Sequence, residues 1–101
     1  MATTTKALFR GAATTTVGTT LYTVPASTTT VVTSIVITNT ANASASFTLG
    51  LAGTNLATTV TVGALDTTVL DLKQVLVATN TITGGASAVT VNFHIAGVEI
   101  V

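Results

Sequence analysis

Alternation with a period of two runs through most of this chain and leaves little room for anything but β-structure. Val89-Thr90-Val91-Asn92-Phe93-His94-Ile95 puts Val89, Val91, Phe93 and Ile95 on one side and Thr90, Asn92 and His94 on the other. Ser46 to Leu51 repeats the pattern with Phe47, Leu49 and Leu51, and Leu56, Thr58, Val60 and Val62 share one side of a further segment. Successive side chains of a strand point to opposite faces, so these segments read as strands with one covered face. No segment sustains a helical period, although Lys6 to Ala13 has room for one helical turn. Roughly a quarter of the residues are threonine, which, like valine, is stiff at χ1 and fits a pleated surface.

Val31 to Ile37 carries apolar residues in both parities, with Ile35 and Ile37 on one face and Val32 and Val36 on the other. That suits a central strand or one covered on its outer side. Val69 to Val77 is also mixed, and Lys73-Gln74 within it marks a bend or bulge. Turn signals follow at Pro25-Ala26-Ser27, Asn39 to Ser44, Gly53-Thr54-Asn55, Gly63 to Asp66 and Gly84-Gly85-Ala86-Ser87. Turns every 8–12 residues or so are the mark of a sandwich or barrel. The expected fold is an all-β, two-layer antiparallel β-sandwich, jelly-roll or immunoglobulin-like, of seven or eight strands. Residues 20–101 would form the sandwich, and the threonine-rich residues 1–19 an extended N-terminal arm, since such a segment buries little by itself.

Only 6% of the residues are charged and the formal net charge is zero, against a usual charged share of about 25%. A neutral surface of hydroxyls and methyls is poor at steering charged ligands and suited to packing against protein. Three basic residues are too few to neutralise a phosphate backbone, which argues against nucleic acid. No run has the length of a membrane span. The N-terminal residues lack the apolar stretch of a secretory signal, so synthesis in a cytoplasm is expected and the sequon at Asn42-Ala43-Ser44 carries no weight. Without cysteine, disulfides and thiolate metal sites are absent, and the few His, Asp and Glu do not suffice for a metal cage.

An enzyme would have to recruit His94, the lone histidine, with Asp66, Asp71 or Glu99 and one of many hydroxyls. Hydroxyls are so abundant that proximity would mean little, and His94 is expected to face solvent or an interface. Neither a catalytic residue nor a cofactor is assigned. Asp66 after Gly63-Ala64-Leu65 suits an Asx-type turn, and Asp71 with Lys73 a local surface ion pair. Thr28-x-Thr30, Thr59-x-Thr61 and Thr79-x-Thr81-x-Thr83 resemble ice-binding arrays, but their intervals are irregular. Carbohydrate binding lacks its aromatic platform, with one Tyr and no Trp. Leu8, Phe9 and Arg10 are the candidate interface: an apolar pair beside one cation within a threonine tract has the make-up of a small hot spot. The alternative is that Leu8 and Phe9 cap their own sandwich.

Two stretches carry a resemblance. Thr20-Leu21-Tyr22-Thr23-Val24-Pro25-Ala26 with Thr29 to Thr40, and Asp71 to Leu76 with Val91 to Ile100, resemble small virion-associated structural proteins of tailed bacteriophages. The likeness spans residues 20–101, with Ser27 where the family often has glycine. It implies a β-sandwich module repeated on a virion and assembled in the host cytoplasm. Such a module would be a head decoration or cement protein that binds the major capsid protein, often as a homotrimer. The alternative is a tail, neck or fibre-associated module.

Overall fold

The described residues form eight strands: β1 (Thr3–Ala12), β2 (Thr20–Thr23), β3 (Thr29–Asn39), β4 (Ala45–Leu51), β5 (Thr54–Val62), β6 (Thr67–Leu76), β7 (Thr81–Ala86) and β8 (Val91–Ile100). The structure, a computed structural model, describes residues 3–16 and 18–101. Strands β1-β8-β3-β6 form a front sheet and β2-β7-β4-β5 a back sheet, with every pairing antiparallel. β1 pairs with β8, β2 with β7, β3 with β6 and β4 with β5, so the chain is one long hairpin rolled up on itself. Its tip is the β4–β5 turn, among the described strands the only connection that stays within a sheet. The β3–β8 and β4–β7 pairings close the roll. This is the jelly roll, and it decides between the two sandwich topologies that the alternation allowed.

The core lies between the sheets. Phe93 of the front sheet and Phe47 of the back sheet are fully buried and meet edge to face, with centroids 6.3 Å apart. That contact adds roughly 1 kcal/mol to the burial of the two rings. Ile35, Ile37, Leu49, Ile82, Val91 and Ile95 surround them, each at most 1% exposed.

The expected extended arm is not seen. Of residues 1–19, Met1, Ala2 and Val17 lie outside the described residues, and Thr3–Ala12 is the long edge strand β1, hydrogen-bonded along β8. The helical turn expected from Lys6 is likewise strand. Beside Ala96–Gly97 the register of β1 steps from Ala7↔Ala96 to Phe9↔Ile95, inserting Leu8. One inserted residue flips the parity of everything beyond it, so Leu8 and Phe9 both turn toward the core.

β3 does the same at Thr33, between Val32↔Gly97 and Ser34↔Ala96. Val32 therefore joins Ile35 and Ile37 on the inner face and, of these four, Val36 alone faces outward, which corrects the even split expected of them. The bend expected at Lys73-Gln74 is present as a register shift of β6 against the same stretch of β3.

Two expected turns are placed differently. Gly84, Gly85 and Ala86 are buried strand residues of β7, not a loop. A Cβ on Gly84 would stand 2.6 Å from Leu49 Cδ2, so the glycine makes room for core leucine. The β4–β5 hairpin turns at Ala52-Gly53, both with positive φ (53° and 80°). Two central residues of positive φ make a type I′ turn, which favours Asn-Gly. Ala52→Asn should raise stability by about 0.5–1 kcal/mol, read as a higher urea midpoint at unchanged m-value.

At one end of the sandwich, buried Asn39 joins three loops. Its amide donates to the carbonyls of Ala43 (2.7 Å) and Gly63 (3.3 Å), and its Oδ1 accepts from Ala41 N (3.1 Å) and Thr90 Oγ1 (3.2 Å).

Candidate functional site

The functional surface is set by where the roll puts its few charges. Lys6, Arg10, Asp71, Lys73 and Glu99 all lie on strands of the front sheet, and Asp66 lies in the β5–β6 turn. The back sheet carries none. Opposed residues in a sheet share a face, so pairing Thr20 with Thr83, Thr83 with Gly50, and Thr48 with Gly85 builds an outer face of hydroxyls and glycine. The outer face of the front sheet differs. There Val31 pairs with Val98 and Val75, Val36 with Val69 and His94, and Arg10 with His94. The molecule thus has an uncharged hydroxyl face and a valine-rich face bearing charge.

Leu8 is 7% exposed and covers Gly97, and Phe9 packs against the same core. Arg10 is exposed on the outer face of the front sheet. The structure therefore separates the three candidate interface residues, two turned inward and one outward. The inserted residue at Leu8 causes this, and no pattern of residue types announces it.

Sequence reasoning missed a polar cluster between the two sheets. On β8 the inward parity of Phe93 and Ile95 continues to Glu99, whose side chain is 12% exposed at the open end of the core. Tyr22 of the back sheet donates its O–H to the Glu99 carboxylate. Thr30, fully buried and level with Glu99 on β3, donates to the Tyr22 oxygen at 3.0 Å. Lys6 Nζ stands 3.4 Å from the other carboxylate oxygen. The parity of Glu99 with Phe93 was the available signal. The chain Lys6–Glu99–Tyr22–Thr30 joins the sheets where apolar side chains run out, and no buried side-chain polar atom among the described residues lacks a partner.

Burial raises the pKa of the Tyr22 phenol first, and the hydrogen bond to Glu99 and its charge raise it further, against a smaller opposing effect of Thr30. A pKa raised in the folded state stabilises below the unfolded value near 10, and that stabilisation fades as pH rises through the folded value. Tyr22→Phe should therefore lower stability by about 1 kcal/mol at pH 7. Thermal melts across pH 7–11 or so should show the gap to the unmodified chain closing above about pH 10.

The remaining candidates stay apart. His94 is exposed. Among the described residues, no three His, Asp or Glu come together, and Asp71 and Lys73 form no ion pair. Asp66 accepts from Thr67 N at 2.9 Å, a bond to the next residue and not the Asx-type turn expected of it, which would reach two residues on. The threonine motifs share no flat array: Thr28 and Thr30 are buried, and Thr59 and Thr79 have positive φ. Ser27, too, has φ of 58°, a glycine-favouring value. Neither a known family model nor any characterised protein matches this chain.

Proposed function

We propose that this chain is a non-enzymatic structural protein of a phage virion, a decoration or cement protein that binds the outside of the assembled head. The observation that carries the reading is the distribution of surface chemistry: a roll with one uncharged hydroxyl face and one valine-rich face, at zero net charge. Permanent interfaces are apolar and poor in charge, like a domain core cut in half. The resemblance of residues 20–101 to virion-associated proteins supports it. So does the jelly roll, an architecture of viral capsid domains, though only by analogy of fold.

The mechanism is mass action. A protein that binds the assembled lattice and not its dissociated subunits stabilises the lattice in proportion to the logarithm of its concentration over Kd. The major capsid protein is the partner, and threefold points of the lattice are the sites that the resemblance implies. Quantitative mass spectrometry of purified virions tests this. About one copy per capsid subunit, or a fixed large fraction of that, is expected. A few dozen copies would move the protein to the tail or neck, and absence from the particle would overturn the reading.

A further inference from the structure

Among the described residues, exposed large apolar side chains gather on one side of the molecule. Six of the eight, Leu56, Val60, Leu65, Val69, Val75 and Val77, lie on β5, on β6, in the turn between them or just after β6. Both strands are sheet edges, and a groove of about 310 Å³ floored by Leu70 and Leu72 opens between them. An edge strand presents unpaired backbone N–H and C=O groups. The other edges are short or change face at a register shift. β2 has four residues, β1 is interrupted at Leu8, and β5 shifts register twice, with φ of 48° at Thr59. β6 has ten residues and one register shift against β3, across Leu72-Lys73, and it keeps its faces through the shift. Thr68, Leu70, Leu72 and Leu76 turn inward, Val69, Asp71, Lys73 and Val75 turn outward, and Gln74, level with Val32, is exposed.

We propose that β6 is a self-pairing edge, at which two copies of this chain join antiparallel about a two-fold axis at Leu72. The outward sequence Val69-x-Asp71-x-Lys73-x-Val75 is complementary to its own reverse. The two-fold sets Asp71 opposite the partner's Lys73, and Val69 opposite the partner's Val75, each twice. Within one chain Asp71 and Lys73 are exposed, with no ion pair or side-chain hydrogen bond between them or to other described residues. The charges also select the register. A slip of two residues one way opposes Asp71 to Asp71, and the other way Lys73 to Lys73. A slip of one sets outward side chains level with inward ones, and parallel pairing opposes like to like. Directly opposed like charges disfavour a pairing. Such an isologous contact is two-fold, unlike the threefold that the resemblance implies. It stands whether or not the virion assignment does.

Charge reversal tests it on the purified full-length chain by sedimentation equilibrium. The unmodified chain should be a dimer. Asp71→Lys and Lys73→Asp should each raise Kd about tenfold to a hundredfold, because either turns two attractions into two repulsions. The double variant D71K/K73D should restore the dimer. An equimolar mixture of the two single variants should form a heterodimer although neither self-associates. Melting of each variant, followed by circular dichroism at concentrations where it is monomeric, should match the unmodified monomer, since both side chains are exposed. A chain that stays monomeric at about millimolar concentration, where pairings of some 4 kcal/mol would register, overturns the proposal. So does an oligomer whose Kd ignores the reversals.

Discussion

Asn39→Asp should destabilise this protein by about 3–5 kcal/mol at neutral pH, the range for a buried charge left without a partner. The exchange keeps the shape and removes both donors. Asn39 is 0% exposed, and its amide points at the carbonyls of Ala43 and Gly63. A carboxylate there would face two acceptors and could use only the bonds from Ala41 N and Thr90 Oγ1. Its pKa would rise on folding. A raised folded value means that the neutral form is the tolerated one, so the deficit should shrink as pH falls toward about 4. For a domain of this size each kcal/mol moves Tm by about 4–8 °C, giving a drop of at least about 12 °C at pH 7. A loss under about 1 kcal/mol at pH 7 would show that the three loops hold together without this side chain.

Gly97→Ala is the second large effect, at about 3 kcal/mol, the upper end of overpacking penalties. An added Cβ would stand 2.6 Å from the backbone carbonyl of Val31 and 2.8 Å from Leu8 Cδ1. Gly97 is where β1 and β3 both carry their inserted residues, so the carbonyl belongs to a stretch that cannot move without shifting register. Gly84→Ala offers the comparison. Its nearest neighbour is the tip of Leu49, with the Thr48 carbonyl at 3.1 Å, so a rotamer change relieves most of the clash and a smaller loss is expected. Chemical denaturation of both variants should give the order Gly97 over Gly84. Adding Leu8→Ala to Gly97→Ala should not restore stability, because the carbonyl remains. Equal losses at both glycines would remove the backbone argument.

Both sites show how far the sequence could be read. Phe47, Leu49 and Leu51, and Val91, Phe93 and Ile95, were legible as core because strand parity is local, and the structure buries all six. Asn39 read as the start of a polar loop because its burial depends on residues 24 to 51 positions away. Gly84-Gly85 read as a turn because glycine in a strand looks the same as glycine in a loop until the leucine that needs its space is known. The arm over residues 1–19 failed for a related reason. Its threonine tracts are weakly hydrophobic, and the backbones of β8, along Thr3–Ala12, and of β7, at Thr14 and Thr19, give them partners that composition does not contain.

By itself the sequence determined that the chain is all-β, two-layered and poor in charge, because period-two alternation and side-chain chemistry are properties of neighbouring residues. Only the tertiary structure decided strand order. Any of several sandwich topologies buries the same alternating faces, whereas rolling one long hairpin selects β1-β8-β3-β6 and β2-β7-β4-β5. That choice gathers the strand-borne charges into one sheet, sets Tyr22 against Glu99 and leaves β6 at an edge. Inserted residues decided the rest, since one extra residue at Leu8 or Thr33 reverses every side chain beyond it and is visible only against the partner strand.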